Sequence, residues 1–359
     1  TGFNENWENV IQTNITLEQN LKFITKGLKF VGRFGYDTYN NNHINRRKWP
    51  EQWSAERSRD ENGNLVFKKI SDSSNMHQES GSSGNRREFL DMMLNWERGF
   101  KAHHLNATLK YTQDSYIKTQ DLGDDLKNGV NRRNQGLAGR IAYNWNYRYF
   151  VDFNFGYNGS ENFTKGHRYG FFPSVAVGYM LSEEKFMEQF KETFSKIKFR
   201  VSWGLTGNDQ LDGRRFAFLP TIDTDGSYKW GVNNDYNRSS RFEGEFGVTD
   251  LKWETVEKLN VGIELGLWNA LELQADWFKE QRRDIFMQRN NIPTSAGFRK
   301  TPWANYGKVN NTGIDLSLTY NKQFNKDLHV GFRGTFTYAH NEIIEMDEAM
   351  GVIGTNRQR

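Results

Sequence analysis

GFFPSVAVGYMLSEEKFMEQFKETFSKIKFRVSWGLTGN, residues 170–208, carries the pattern that decides the fold. In its first part Val175, Val177, Tyr179 and Leu181 alternate with Ser174, Ala176, Gly178 and Met180. In its last part Ile197, Phe199, Val201, Trp203 and Leu205 alternate with Lys198, Arg200, Ser202, Gly204 and Thr206. A period of two sends successive side chains to opposite faces of a strand, so each segment has one apolar and one polar face. The apolar face carries large aromatics and the polar face carries Lys and Arg. That apolar face must meet either a packed core or lipid. Between the segments Phe186, Phe190 and Phe194 recur every four residues, which predicts an amphipathic helix over 182–196.

The same alternation recurs on both sides of this stretch. It is read around Ile11, Thr13, Ile15 and Leu17, with a first strand from about Trp7 to Asn20, and again through Leu28, Phe30, Phe34 and Tyr36. Further on it runs through Leu90–Trp96, Leu105–Tyr111, Leu137–Trp145, Tyr149–Tyr157, Leu259–Leu267, Leu271–Trp277, Ile314–Tyr320 and Leu328–Tyr338. The tally is about twelve strands. Their connections alternate in length. Short ones lie near 22–26, 100–103, 146–148, 267–270 and 321–327; long polar ones lie at 40–86, 121–133, 159–168, 207–252 and 284–304. An antiparallel sheet with short turns at one end and long loops at the other is the pattern of outer-membrane barrels, whose short side is periplasmic. By that alternation the 182–196 helix falls on the periplasmic side and the loops near 40–86 and 207–252 on the cell surface.

Composition agrees. Of 359 residues only 36% are hydrophobic, yet 15% are aromatic and 33 are Gly, a profile of many strands and turns. The net charge of +4 comes from interleaved acids and bases, which gives no nucleic-acid-binding patch. No cysteine is present, so this stretch forms no disulfide, zinc–thiolate site or Cys nucleophile. No apolar run is long enough for a transmembrane helix, but a barrel strand needs only about 9–11 residues of alternating polarity. The chain opens at Thr1 and ends at Arg359 in apparent loops, so a piece of a larger protein is expected.

Two features choose between lipid and a soluble core. The polar face offers Lys29, Arg33, Asp152, Asn154, Arg200, Glu264, Glu272, Gln274, Asp276, Asp315 and Arg333, which suits a wet lumen and also the outside of a soluble sandwich. Aromatics cluster at strand ends: Trp145, Tyr147, Tyr149, Phe150 and Trp268 at one end, Tyr36, Tyr39, Tyr111 and Tyr116 at the other. Tyr and Trp favour membrane interfaces because one end of each ring system is apolar and the other wet. The balance favours lipid.

Four motifs, in order, then resemble a known family. Phe172-Pro173-Ser174 with Gly178-Tyr179 and Leu181-Ser182-Glu183-Glu184 resembles a signature of SusC/RagA-type TonB-dependent outer-membrane transporters. Arg200, Ser202, Gly204 and Thr206-Gly207-Asn208 resemble a second, and Leu251-Lys252-Trp253-Glu254 with Lys258, Asn260 and Gly262 a third. Asn305-Tyr306-Gly307 with Asn311, Gly313 and Asp315 resembles a fourth, although Asp315 replaces the usual Glu and Tyr179 the usual Trp. The resemblance implies an all-β, transmembrane antiparallel β-barrel of about 22 strands closed around a plug. This chain, 1–359 as one barrel segment, would supply about twelve of them, with the plug absent. It also implies a TonB box that engages the TonB complex through a missing N-terminal region, and a SusD-like surface lipoprotein as partner.

Candidate sites are few. Trp49 and Trp53 in the first long loop, and Tyr228, Trp230 and Tyr236 in the second, present flat rings of the kind that stack on sugars. The plain alternative is that they fold the loops or pack on a partner. The motif residues Phe172, Pro173, Ser174, Arg200, Gly204, Thr206, Gly207, Asn208, Trp253 and Glu254 are read as structural. Pro173 has no N–H to donate and suits a strand start. His103-His104 reads as an ordinary turn rather than a metal site. Asp223-Thr224-Asp225-Gly226 and Asp121, Asp124 and Asp125 are compatible with calcium but lack the full loop pattern, so solvated turns are the default. No Gly-x-Ser-x-Gly elbow or metal-type His spacing occurs, and no cofactor is expected.

The functional expectation is outer-membrane, TonB-dependent import of a nutrient, an oligosaccharide first and peptides second, without bond chemistry. A barrel enzyme and a soluble carbohydrate-binding β-domain are the competing classes. The first needs a nucleophile–base pair; the second needs detergent-free solubility.

Overall fold

The computed structural model describes residues 2–123 and 126–348. In chain order the strands are β1 (Gly2–Asn20), β2 (Leu28–Arg47), β3 (Gln52–Arg59), β4 (Leu65–Ser71), β5 (His77–Phe100), β6 (His103–Gln120), β7 (Arg132–Trp145) and β8 (Tyr149–Ser160). They continue as β9 (Tyr169–Met180), β10 (Phe194–Asn208), β11 (Ile222–Trp230), β12 (Tyr236–Glu243), β13 (Glu254–Leu267), β14 (Leu271–Gln288), β15 (Trp303–Gln323) and β16 (His329–Glu345). Twelve of them form one sheet in the order β1-β2-β5-β6-β7-β8-β9-β10-β13-β14-β15-β16. The pairs β3–β4 and β11–β12 stand apart as hairpins. Each sheet strand therefore lies beside its neighbour in sequence, with the two hairpins inserted.

Contacts divide the chain into two compact units. One comprises Thr1–Thr16, Arg33–Leu90 and Asp114–Arg133, and holds the β3–β4 hairpin. The other comprises Leu17–Gly32, Asp91–Gln113 and Asn134–Arg359, and holds β8 through β16 with β7 from Asn134 on.

Register within the second unit confirms the two-faced reading. One row across the strands is Tyr149, Tyr179, Phe199, Ile263, Ala275, Leu316 and Phe336. The next row, on the opposite face, is Phe150, Gly178, Arg200, Gly262, Asp276, Asp315 and Thr337. The apolar row is not covered by a second protein layer. Val177, Phe199, Val201, Val261, Ile314 and Phe336 are all exposed. A sandwich would bury that face against another sheet; here it is bare, as a lipid-facing wall is.

The height fits as well. Tyr149 stacks on Tyr179 and Tyr157 on Tyr169, each at 5.1 Å, near the two ends of β9. The ten-residue step from Tyr169 to Tyr179 makes ~33 Å of strand, or ~23 Å of height at a ~45° tilt, close to the apolar band of a membrane barrel.

Several sequence expectations change. The stretch 40–86 is not one loop: β2 runs on to Arg47, β5 begins at His77, and β3–β4 fills part of the gap. Likewise 207–252 contains β11–β12, and β14 and β15 reach into 284–304. Strands continuing past the membrane meet water on both faces, so no apolar–polar contrast marks them. The helix over 182–196 is instead two 3-10 turns, Leu181–Glu183 and Lys185–Phe190, with β10 already under way at Phe194. Finally, β1 begins at Gly2 rather than near Trp7; Thr1 and Arg359, where the sequence suggested loops, lie outside the described residues.

Candidate functional site

Phe172–Ser174, Gly207-Asn208, Leu251–Glu254 and Asn305–Gly307, parts of the four motifs, lie at the long-loop end of β9, β10, β13 and β15, whereas Gly178–Glu184 and Arg200 lie toward the short turns. Phe163, Leu211, Ala217, Val248, Leu251 and Phe286 form a small buried cluster at the long-loop end, with Phe218, Trp253 and Trp303 packed against it. Trp253 is its hub. It stacks on Phe163 at 5.0 Å, takes the edge of Phe172 at 5.4 Å, and donates its indole N–H to the Arg168 carbonyl at 3.3 Å. Phe172 in turn lies over Gly207, where an added Cβ would sit 2.0 Å from the ring. At Gly204 the same atom would sit 2.5 Å from Cβ of Ser174.

Polar motif residues close the ring. Buried Glu254 pairs with the Arg282 guanidinium at 2.7 Å and accepts a hydrogen bond from the Asn208 amide at 3.4 Å. Asn305 donates to the carbonyls of Lys252 and Asp284 at 3.0 and 2.8 Å, and accepts from the Lys252 N–H at 3.1 Å. The Ser160 hydroxyl donates to Asp209 at 2.7 Å, and the Asn162 amide to the Asp209 carbonyl at 3.1 Å. The Phe-Pro-Ser, Thr-Gly-Asn, Leu-Lys-Trp-Glu and Asn-Tyr-Gly motifs thus tie three long connections to the strand ends. Thr206 is exposed on β10 and joins no part of this cluster.

Pro173 sits elsewhere than expected. It lies inside β9, opposite Phe155 of β8, and β9 pairs with β10 only as far as Ser174. Its missing N–H ends that ladder rather than starting the strand.

The polar face carries charge in pairs. Arg200 holds Asp276 with two hydrogen bonds of 2.7 and 2.9 Å and reaches Glu264 at 3.4 Å; Lys196 also holds Glu264, at 2.5 Å. Gln274 donates to Asp276 at 3.0 Å, and Arg140 pairs with Asp152. Between these lie Ser174, Ala176, Gly178, Ser202, Gly204 and Gly262. Small side chains beside fixed charges leave a wet wall rich in hydrogen-bonding groups. Arg140, Phe150, Asp152, Gly178, Lys198 and Arg200 line part of a cavity of ≈ 430 Å³ on it.

The loop aromatics lie on the two hairpins, which belong to different units. Trp49 leads into β3 and exchanges hydrogen bonds with Ser74; Trp53 is on β3 with the Lys69 ammonium 5.7 Å above its ring. Tyr228 and Trp230 are on β11 and Tyr236 on β12, where Arg238 covers its ring at 4.9 Å. All five are more than half exposed, from 51% at Trp53 and Tyr236 to 65% at Trp49. Their rings are open to a ligand or a partner rather than folded into a loop core.

Of the acidic turns, Asp223 is paired with Lys300 at 2.7 Å. The side chain of Asp225, and Asp124 and Asp125, lie outside what the structure describes. His103 pairs with the Tyr143 hydroxyl at 2.7 Å, and His104 packs on Tyr147 at 4.8 Å. Convergence of these parts of the four motifs was not readable in the sequence. Its one trace was their glycines and asparagines, residue types that accept tight approach and side-chain-to-backbone bonding.

The model of the family "TonB dependent receptor-like, beta-barrel" matches residues 1–357. Among curated proteins the chain is 29% identical over 209 residues to TonB-dependent receptor SusC of Bacteroides thetaiotaomicron, covering 58% of this chain and 20% of that protein. It is 26% identical over 281 residues to TonB-dependent receptor P3 of Formosa agariphila, covering 71% of this chain and 27% of that one. The chain therefore spans about a quarter or less of the length of these relatives. Among solved structures the RagAB peptide importer superposes with a TM-score of 0.71 at 18% identity, over 98% of this chain and 38% of that one. That likeness is one of fold.

Proposed function

The chain belongs to the TonB-dependent receptor β-barrel family of the outer membrane, and from that premise we propose that it forms the wall and surface loops of a transporter importing an oligosaccharide. The observation that carries this reading is the pair of faces: an uncovered apolar face, and a polar one with paired charges and small side chains. The apolar face meets lipid and the polar face lines the passage. The short turns point to the periplasm and the long connections to the cell surface. Energy comes from the TonB complex, acting through a region of the protein outside this chain. A SusD-like surface lipoprotein sits over the long-loop end. Transport changes no covalent bond, so no side chain is assigned to catalysis.

Oligosaccharide is placed before peptide because five exposed aromatic side chains lie on or beside the two loop hairpins. Peptide is the second reading, and its support is the fold shared with a peptide importer. The test is to purify the full-length protein from membranes with its associated lipoproteins and titrate it with oligosaccharides and with peptides. Oligosaccharide binding that weakens about fivefold in Trp230→Ala or Trp49→Ala is the expected outcome, ~1 kcal/mol being an ordinary contribution from one aromatic contact. Binding of peptides alone would replace the substrate class. Binding of neither, with no lipoprotein co-purifying, would overturn the proposal.

A further inference from the structure

The connection between β9 and β10, residues 181–193, is longer than any other turn at its end of the sheet. It does not hang free. Glu184 accepts hydrogen bonds from the hydroxyls of Tyr149 and Tyr179, both at 3.2 Å, and pairs with Arg148 at 3.4 Å. Tyr149 and Tyr179 lie opposite each other on the apolar face, and Trp145 stacks on Tyr149 in the same row. The connection is therefore folded back onto the lipid-facing side, not across the passage.

Burial agrees. Ile197, on that face of β10, is 9% exposed, whereas Phe199 and Val201, the next two residues on the same face, are 43% and 40% exposed. Ser182 and Met187 of the connection are buried too. The β13–β14 turn is fastened to it, since the Trp268 N–H donates to the Thr193 carbonyl at 2.9 Å. With Met187 turned inward, Phe186 and Phe190 are left 60% and 46% exposed.

We propose that residues 181–193 are an interfacial clasp seated in the phospholipid leaflet on the short-turn side. Phe186 and Phe190 enter the boundary between headgroups and acyl chains, and Lys185 reaches the phosphates. Lipid is the occupant because the patch continues the aromatic belt of Trp145, Tyr149 and Tyr179, which already lies at that boundary. Glu183, Glu184, Glu188 and Glu192 outnumber Lys185 and Lys191 in the segment, so its apolar rings rather than a basic face carry the contact. The clasp holds the ends of β9 and β10 at a fixed depth. The inference rests on the outer-membrane reading, and its test separates the two.

The chain has no cysteine, so single-cysteine variants of the full-length protein, with any cysteine elsewhere replaced, accept one spin label each. Phe186→Cys, Phe190→Cys, Val201→Cys and Asn269→Cys are labelled in phospholipid vesicles, and collision with oxygen and with a water-soluble nickel chelate is measured. Retention of the folded band on unheated gels confirms that each variant is folded. Labels at 186 and 190 are expected to favour oxygen several-fold over the Asn269 label and to approach the Val201 label. A nickel-accessible 186 and 190 beside an oxygen-accessible 201 would overturn the clasp while leaving the membrane reading intact. A water-accessible 201 would overturn both. Labels at 186 and 190 shielded from both reagents would assign the patch to a protein contact and also overturn the clasp. A lipid carrying a photoreactive group, used on the unmodified protein, provides a second readout: crosslinks within 181–193 are expected, and their absence with crosslinks elsewhere on the wall counts against it.

Discussion

At Gly207 the available space is set by Phe172, which is itself held by Trp253. An alanine there would put a methyl group 2.0 Å from the ring of Phe172, a buried side chain without an easy exit. Gly207→Ala is expected to lower stability by about 1–3 kcal/mol, the usual cost of overpacking. Trp253→Ala is expected to cost more, about 3–5 kcal/mol, because it removes the hub of the cluster. Urea titration of the full-length protein in vesicles, followed by band shift, measures both. An equal or smaller loss for Trp253→Ala would mean that the cluster is not organised around the indole. A second single-residue effect lies on the β3–β4 hairpin. Asp60 accepts from the backbone N–H groups of Asn64 at 2.7 Å and Asn62 at 3.0 Å, and from the Asn64 side chain at 3.1 Å. These bonds, led by the Asn64 backbone, hold the exposed carboxylate below its usual range. A depressed folded-state value means that the turn is fully supported above the unfolded carboxyl value of about 3.9 and loses support as pH falls through the folded one. Hydrogen exchange at Asn62 and Asn64, corrected for intrinsic rates, is expected to speed up on acidification in the parent and to be fast and flat in Asp60→Ala. PH-independent protection in the parent would refute the assignment.

At the scale of elements, β10, β13 and β14 are joined on the polar face by one cation. Arg200 bonds Asp276, which is buried, and touches Glu264. Removing the guanidinium leaves buried Asp276 without a cation while Lys196 still holds Glu264, whereas removing the Asp276 carboxylate leaves Arg200 beside Glu264. Arg200→Met is therefore expected to cost about 3 kcal/mol, Asp276→Asn clearly less, and the double variant less than the sum. Denaturation of all three variants in the same vesicles reads the coupling, and strict additivity would show that the ladder does not act as a unit. The same elements explain what could be read in advance. β8, β9, β10, β13 and β14 were legible because one face is apolar and the other polar, so the period of two stands out. The extension of β2 to Arg47, the start of β5 at His77 and the whole of β11–β12 were not, because water on both faces removes that contrast. Phe186, Phe190 and Phe194 misled because a four-residue spacing also fits two 3-10 turns running into a strand. The loop aromatics were placed on the correct connections, but the meeting of parts of the four motifs needs strand register, which no local spacing encodes.

For the whole molecule, the decisive fact is the order of the strands. β1 and β16 stand at the two ends of the sheet, each with one neighbour. Ile11, Ile15 and Leu17 of β1 and Phe332, Phe336 and Tyr338 of β16 are exposed, so these terminal strands are built for lipid. In a bilayer an unpaired strand edge leaves a row of N–H and C=O groups without partners, each costing several kcal/mol, and only closure removes that cost. The relatives are about three times as long as this chain, which leaves length for strands that pair with both edges. Residues 1–359 produced alone are accordingly expected to stay out of vesicles, to need denaturant for solubility and to run identically on gels with and without heating. The full-length protein is expected to insert and to shift on heating, because closure makes the native barrel resist detergent. Should the segment alone insert and show the heat shift, its two edges must pair with each other or with a second copy. Chemical crosslinking between β1 and β16, within or between chains, would then identify which.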